Sequence, residues 1–309
     1  MKVKLFAAAA AISLISANAV FAAEPESCKT VRFGQIAWTD LQATTGIATT
    51  LLSGLGYQPK ITDLTLEVVF TSLKNKDLDV FLGNWMPSQS SNIASYAKEG
   101  TVETIGANLE GAGYGVVVPD YVAEGGVKSL KDVGKYADKF DKKFYGIEPG
   151  NDGNKIVEGF IADKANGLEG FKVIESSEQG MLTQAGKSIK KKDWIVFLGW
   201  TPHPVMGDMN LVYLDGMGDS GFGGATVFTN TRKGYSGECP NVGKLLSNLK
   251  FTLDMEGEIM ADIGNKADPK DAAKKWIKAN PTILDTWLDG VTTFSGEDGK
   301  VAVKKSLGI

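Results

Sequence analysis

The chain has 309 residues, of which 43% are hydrophobic, 23% charged and 9% aromatic. This much apolar surface excludes a disordered chain, a collagen-like repeat and a small disulfide scaffold. One His and two Cys leave few ligands for a soft-metal site, so we expect no metal and no cofactor. The formal net charge of −4 gives no reason to expect nucleic acid as a partner. The length is typical of a chain with two domains.

Residues 1–22 predict a secretory signal peptide. Two lysines precede an apolar run rich in Ala, Leu and Ile, and the small-residue sequence Val20-Phe21-Ala22 provides a cleavage site. The alternative is a transmembrane anchor, because the apolar run of about 18 residues is nearly long enough to span a bilayer. Three polar residues within the run argue against an anchor: Ser13, Ser16 and Asn18. We therefore predict cleavage near Ala22 and a periplasmic protein.

Beyond the leader, short β-rich apolar runs alternate with longer segments of helical period. This alternation predicts an α/β architecture with largely parallel sheets. In chain order, the predicted elements are a strand at 31–37, a helix at 43–54, a strand at 65–69, a helical turn at 72–76, strands at 78–83, 115–119 and 144–148, a helix at 155–163, strands at 195–199, 211–214 and 224–229, and a mainly helical tail over 242–288.

One sequence pattern occurs twice. Val80-Phe81-Leu82-Gly83-Asn84-Trp85-Met86-Pro87 and Val196-Phe197-Leu198-Gly199-Trp200-Thr201-Pro202 each read as a buried strand followed by Trp and Pro. Two occurrences are too few for a repeat protein. They predict two α/β lobes, each of which places a Trp where a strand leaves its sheet.

Three tryptophans, Trp38, Trp85 and Trp200, follow predicted strands. Ligands of open parallel sheets bind beyond the carboxyl ends of the strands, so these positions favour a binding role over core packing. The other three tryptophans are predicted to lie in the core: Trp194, Trp276 and Trp287.

Aromatic faces suit sugars and quaternary ammonium ions. Sugar sites normally add several carboxylates and amides and an Arg, whereas the segments around these three tryptophans offer one acid, Asp40, together with Asn84, Gln89 and His203. One acid among several rings favours a monovalent cation.

No arrangement of residues predicts catalysis. The glycine pattern at 216–221 resembles a dinucleotide fingerprint, but another predicted strand follows it where a helix is required. Ser220 lacks a suitably placed base, because the single His is only 17 residues earlier in the chain. We therefore predict no catalytic residues and no enzymatic activity.

The two cysteines, Cys28 and Cys239, are the only pair available for a disulfide. Export permits this bond, and the chain-entropy model assigns such a long loop an upper value of roughly 5 kcal/mol. The alternative is two buried free thiols. Cys28 follows Ser27 without the Leu-Ala-Gly context of a lipoprotein site, which favours a soluble exported protein.

Five short segments carry a resemblance: Trp38-Thr39-Asp40, Gly83-Asn84-Trp85-Met86-Pro87, Gly113-Tyr114-Gly115, Gly150-Asn151-Asp152 and Gly199-Trp200-Thr201-Pro202. In type and spacing they resemble the periplasmic substrate-binding proteins of choline and glycine betaine ABC importers, above all the choline-binding members. The resemblance extends over essentially the whole mature chain.

The resemblance implies a two-lobed periplasmic binding protein fold of type II, with the ligand in the cleft between the lobes. Residues 23–112 and 211–309 would form one lobe and residues 113–210 the other. It also implies delivery of the ligand to an ABC permease. The sequence gives no reason to expect an oligomer, so we predict a monomer.

The same resemblance implies a ligand site of four rings and two polar partners: Trp38, Trp85, Tyr114 and Trp200 with Asp40 and Asn151. Choline is the implied ligand, with acetylcholine and betaines as weaker ones. The carboxylate of Asp40 would neutralise the cation and accept the choline hydroxyl, but it would repel the carboxylate of a betaine.

Three alternatives stay open at this point. A protein of the same fold that prefers glycine betaine or proline betaine would share the ring pattern. An exported carbohydrate-binding protein or enzyme would stack sugars on the same rings. A sensory binding lobe would carry the site without a transporter.

Overall fold

The structure is a computed structural model that describes residues 24–309, so the predicted signal peptide lies outside the described residues. The described residues form nine β-strands and fourteen α-helices. The strands are β1 (Thr30–Gln35), β2 (Gln58–Asp63), β3 (Val80–Met86), β4 (Val102–Pro119), β5 (Lys143–Tyr145), β6 (Lys172–Ile174), β7 (Phe197–Thr201), β8 (Leu211–Tyr213) and β9 (Gly223–Arg232). The helices are α1 (Thr39–Gly54), α2 (Leu66–Lys74), α3 (Ser90–Glu99), α4 (Asp120–Glu124), α5 (Leu130–Lys135), α6 (Asp152–Ala162), α7 (Glu178–Lys191), α8 (Val205–Asp208), α9 (Tyr235–Glu238), α10 (Pro240–Asn248), α11 (Leu253–Gly264), α12 (Pro269–Ala279), α13 (Ile283–Trp287) and α14 (Gly299–Leu307).

The strands follow one path in the order β2-β1-β3-β9-β4-β7-β5-β6, and β8 pairs with β4. Strand β1 is parallel to β2 and β3, and β5 is parallel to β6 and β7. The long strands β9 and β4 are antiparallel to each other and to β3 and β7. The prediction of largely parallel sheets is therefore wrong at the centre, where two antiparallel strands join two parallel groups.

We call β1–β3 with α1–α3 and the C-terminal helices α10–α14 the first lobe, and β5–β7 with α4–α8 the second lobe. Strands β4 and β9 run between them. The exact residues at which one lobe gives way to the other stay a prediction.

The predicted strand at 65–69 is wrong, because these residues begin helix α2. Four residues of α2 are buried, at the spacing of one helical face: Leu66, Val69, Phe70 and Leu73. This helical period outweighs the β-propensity of the adjacent Val68 and Val69.

Strand β4 is far longer than the predicted segment 115–119. Its pairing with β9 shifts register three times between Thr104 and Ala112, and Gly111 has a φ of 77°. Each irregularity breaks the alternation of inward and outward side chains, which is the signal by which a strand is recognised. Strand β2 escaped prediction for a related reason, since nearly all of its side chains are exposed.

The structure places Trp287 in the core, as predicted, and Trp194 and Trp276 at the edge of the core, where each is partly buried. Trp287 is fully buried and Trp276 packs beside it, with ring centroids 6.2 Å apart. Trp194 is half-buried against Tyr136 and Phe140.

Within residues 24–309, no helix has both the length and the hydrophobicity that crossing a membrane requires.

The predicted disulfide between Cys28 and Cys239 is present and joins the segment before β1 to the start of α10. We expect a Cys28→Ser/Cys239→Ser double variant to lose about 2–5 kcal/mol of unfolding free energy, because the unfolded chain regains the entropy of an open loop. Urea unfolding checks this value. Reductant should destabilise the wild type and leave the double variant unchanged; equal stability of the oxidised wild type and the variant would contradict the prediction.

Candidate functional site

A cavity lies between the two lobes, and residues from both lobes line it. Nine residues line it: Trp38, Asp40, Trp85, Gln89, Tyr114, Ile147, Asn151, Asp152 and Trp200. The structure thus brings together all six residues that the sequence analysis named as ligand contacts. Their contact with a ligand stays a prediction.

The ends of strands position the aromatic rings. Trp85 and Trp200 are the next-to-last residues of β3 and β7, so each strand continues one residue beyond its Trp, further than predicted. Tyr114 lies in β4 directly opposite Trp200 in the antiparallel register. Trp38 is the N-cap residue of α1, just beyond the end of β1. Both lobes and the central strands therefore supply rings to one cavity.

The rings meet at steep angles. The Tyr114 centroid is 6.1 Å from that of Trp85 and 6.2 Å from that of Trp200, with interplanar angles of 60° and 81°. At these angles the rings meet edge to face or tilted, and they do not stack in parallel. All four rings are at most 6% exposed, so a ligand among them would be largely desolvated.

Asp40 lies in the first turn of α1 and is buried. Its Oδ2 accepts a hydrogen bond from Trp85 Nε1 at 3.1 Å. Burial, and after it the neighbouring carboxylate of Glu178, raise the pKa of Asp40 to about 7. Ionised Asp40 therefore lacks the compensation that a nearby cation would provide.

Asn151 caps helix α6 and orients a cavity ring. Its Oδ1 accepts hydrogen bonds from Gly153 N at 2.8 Å and from Tyr114 Oη at 3.2 Å, while its Nδ2 donates to Glu148. A Cβ atom on residue 153 would come within 2.0 Å of Tyr114 Oη, so only glycine fits there. Burial raises the pKa of Tyr114 well above its ordinary value, which keeps the phenol protonated as a donor.

Glu148 connects the lobes through bonds with two cavity-lining residues, Trp38 and Asn151. Trp38 Nε1 lies 3.1 Å from both of its carboxylate oxygens and donates to them. Burial raises the pKa of Glu148, and the bonds from Trp38 and Asn151 oppose that rise. In the part of the chain that the structure describes, the remaining indole nitrogen of the cavity, Trp200 Nε1, has no hydrogen-bond partner.

Three lining residues were not among the six predicted ligand contacts: Gln89, Ile147 and Asp152. Asp152 is the first residue of α6, and burial raises its pKa to about 6. Its Oδ2 has no hydrogen-bond partner among the described residues. In the sequence, only the position of Asp152 next to Asn151 indicated that it could line the cavity. None of the described residues that line the cavity is Lys or Arg, so the cavity contains two carboxyl groups and no basic side chain.

The single His lies behind the cavity wall. His203 Nδ1 accepts a hydrogen bond from Val205 N, and His203 Nε2 lies 3.2 Å from a carboxylate oxygen of Glu178. The imidazole edge packs against Trp200, with ring centroids 5.2 Å apart. His203 therefore supports a cavity ring without lining the cavity.

The chain is similar to known proteins in sequence and in structure. The family model of the substrate-binding domain of ABC-type glycine betaine transport systems matches residues 29–279. A solved ABC-transporter choline-binding protein in complex with choline is 50% identical, with 92% of this chain and 100% of that chain covered and a TM-score of 0.89. A structure of an ABC-transporter choline-binding protein in an unliganded semi-closed conformation is 51% identical over the same shares, with a TM-score of 0.84.

A third solved structure is lactococcal OpuAC in its closed conformation, complexed with glycine betaine. It is 30% identical, with 84% of this chain and 99% of that chain covered and a TM-score of 0.77. These similarities confirm the predicted fold, the two-lobed type II periplasmic binding protein with its cleft between the lobes. The chain belongs to the family of substrate-binding domains of ABC-type glycine betaine transport systems.

Proposed function

We propose that this protein captures choline outside the cytoplasm and delivers it to an ABC permease. The observation that carries the proposal is the cavity itself, in which four aromatic rings surround buried carboxyl groups without a basic side chain. The similarity of the chain to a solved choline-binding protein in complex with choline supports the same ligand.

The chemistry of the rings fits a methylated cation. A quaternary ammonium group donates no strong hydrogen bond, so it gains most from ring faces, each worth roughly 1–2 kcal/mol when desolvated. Four rings of this kind suffice for about micromolar affinity, once the cost of association is subtracted. Trp38, Trp85, Tyr114 and Trp200 are the ring contacts we propose.

The acidic groups favour choline over betaines. Asp40 would neutralise the cation and accept the choline hydroxyl, and Asn151 would be the second polar partner. A betaine would add its own carboxylate to a buried cavity that already holds Asp40 and Asp152, and like charges in a desolvated site are costly. Glycine betaine, which lactococcal OpuAC binds, is therefore the weaker ligand in this proposal.

The proposed activity is capture and release without chemical change to the ligand. Ligand contacts on both lobes would favour the closed arrangement, which the permease then recognises. The only imidazole of the chain is engaged at both nitrogens, by Val205 and Glu178. We also propose export to the periplasm after cleavage near Ala22, which the disulfide supports because such bonds persist in oxidising compartments.

Calorimetric titration tests the proposal. We expect choline to bind with a Kd of about micromolar and glycine betaine to compete only at higher concentration. The uncharged isostere 3,3-dimethyl-1-butanol is the matched control for shape, and it should bind far more weakly because it lacks the cation. Equal affinity for the isostere, or stabilisation by sugars in place of choline, would overturn the proposal.

The affinity for choline should depend on pH through Asp40. Below a pH of about 7 the carboxyl of the ligand-free protein is protonated, and binding the cation requires it to lose that proton. We therefore expect the association constant to fall by roughly ten-fold per pH unit below that point and to level off above it. Titrations between pH 5 and 9 measure this slope; an affinity that stays constant across the range would contradict it.

A further inference from the structure

We propose that Glu178 is a positioning residue that holds the start of helix α1, and with it Asp40, in the closed arrangement of the two lobes. Glu178 is the first residue of α7 in the second lobe and does not line the cavity. This inference rests on the proposed function, which supplies the ligand, choline. The contacts of the buried Glu178 carboxylate support it.

The contacts of Glu178 cross between the lobes. Its Oε2 accepts a hydrogen bond from Thr39 N at 2.9 Å, and its Oε1 accepts one from the hydroxyl of Thr39. Glu178 is only 1% exposed, and in the described residues no Lys or Arg forms a salt bridge with it. A buried carboxylate is tolerated only when hydrogen bonds compensate it. Separation of the lobes would remove both bonds from Thr39.

Glu178 also takes the place of a helix cap. The N-cap residue of α1, Trp38, provides no side-chain hydrogen bond to the helix. Glu178 accepts from the first helical amide instead and places a negative charge at the positive end of a 16-residue helix. Because Asp40 is the next residue, these bonds fix the backbone that presents its carboxylate to the cavity.

On its other side, Glu178 is linked to the support of a cavity ring. His203 Nδ1 accepts from Val205 N, so the proton resides on Nε2, which donates to Glu178 Oε1 at 3.2 Å. The same imidazole packs edge-on against Trp200. One carboxylate thus ties Asp40 in the first lobe to the support of Trp200 in the second.

The arrangement described here is more similar to a solved choline complex than to a solved unliganded semi-closed structure. The TM-score is 0.89 with the choline complex and 0.84 with the unliganded semi-closed structure. The bonds from Thr39 to Glu178 therefore belong to the closed arrangement, whose lifetime sets the rate at which ligand is released.

The variant Glu178→Gln tests the proposal, with Glu158→Gln on the exposed face of α6 as the control that removes the same charge elsewhere. Glutamine keeps the shape but offers one acceptor oxygen where the carboxylate has two. In stopped-flow measurements of choline release by tryptophan fluorescence, we expect koff to rise by about ten-fold or more in Glu178→Gln, with little change in kon. The control should behave like the wild type.

A pH series separates positioning from a merely structural role. Without the Glu178 charge the pKa of Asp40 falls, so the midpoint for choline affinity should move below a pH of about 7. The other groups that face Asp40, the indole of Trp85, Glu256 of α11 and His203, remain in place. An unshifted midpoint together with a wild-type koff would overturn the proposal.

A readout without ligand keeps this inference distinct from the proposed function. In the ligand-free protein, the Thr39 amide is protected by Glu178 only while the lobes are closed. If Glu178 favours that arrangement, hydrogen exchange of this amide should be faster in Glu178→Gln than in the wild type. If choline fails to bind the wild type, the proposed function is refuted, and this exchange rate alone decides the role of Glu178. If Glu178→Gln does not fold, Thr39→Val removes the hydroxyl at the other end of the bond. An exchange rate or koff equal to that of the wild type in Thr39→Val would then refute the proposal.

Discussion

Replacing Asp40 by Asn is expected to reduce choline affinity by more than about 100-fold, since losing one partner of a buried charge pair costs on the order of 3–5 kcal/mol. Asparagine has the same shape, and its amide oxygen still accepts from Trp85 Nε1, so the cavity keeps its form. What disappears is the negative charge beside the bound cation. Calorimetry on purified Asp40→Asn protein measures the loss.

The same substitution should stabilise the ligand-free protein. Burial raises the pKa of Asp40 from its ordinary value to about 7, so between those two values the folded state binds a proton that the unfolded chain has already released. Stability therefore falls as pH rises from about 4 to 7, and the penalty is complete above the folded pKa, on the order of a few kcal/mol. We expect Asp40→Asn to have a higher Tm than the wild type at pH 8 and a smaller advantage at pH 4.

The control for both effects is Asp77→Asn, an exposed position outside the cavity. It should leave choline affinity and the pH dependence of Tm unchanged. Wild-type affinity in Asp40→Asn would remove Asp40 from the site. A Tm at pH 8 that is lower in Asp40→Asn than in the wild type would contradict the predicted stabilisation. It would show that the ionised Asp40 carboxylate stabilises the ligand-free protein.

The two effects of Asp40→Asn have opposite signs, which indicates that Asp40 is retained for binding and not for stability. Without a basic partner, the buried carboxylate lowers the free energy of unfolding of the empty protein. A bound cation would compensate its charge and remove this destabilisation. The ligand thereby favours the closed arrangement through its charge as well as its shape. A neutral molecule of the same shape would leave that cost in place.

The sequence was most informative where a strand ends in tryptophan. Trp85 and Trp200 could be assigned to a cavity because strand ends meet at a ligand-binding edge, and this rule needs only a local pattern. The same rule applies to Trp38, which lies between the end of β1 and the start of α1. The two lobes and the disulfide could also be predicted from the sequence. Alternating strands and helices indicate α/β lobes, and a single pair of cysteines allows only one disulfide.

Other parts of the site depend on contacts between distant segments. Tyr114 lies in a strand whose alternation is broken by irregular pairing, and Asn151 reads as an ordinary helix cap. Only the family resemblance brought these two residues into the site. Glu178 lies 139 positions from the threonine that it holds, and no local period connects them. Topology alone determines that these residues meet.

Replacing Trp85 by Ala is the second large effect we expect, with a loss of choline affinity of about 2–4 kcal/mol, as for central aromatic contacts in other interfaces. The indole contributes twice, as a ring face toward the cavity and as the donor to Asp40 Oδ2. Trp85→Phe separates these roles, because phenylalanine keeps an aromatic face and removes the N–H. We expect Trp85→Phe to lose clearly less than Trp85→Ala in calorimetric titration.

Trp276→Ala provides the control for the loss of a large ring, since Trp276 packs against Trp287 away from the cavity. That variant should lose stability but retain its affinity for choline. Equal losses in Trp85→Phe and Trp85→Ala would instead assign the effect to the hydrogen bond with Asp40. In that case the ring faces would contribute little, and the carboxylate that Trp85 orients would carry recognition of the cation. Wild-type affinity in Trp85→Ala would exclude both roles and place the cation elsewhere.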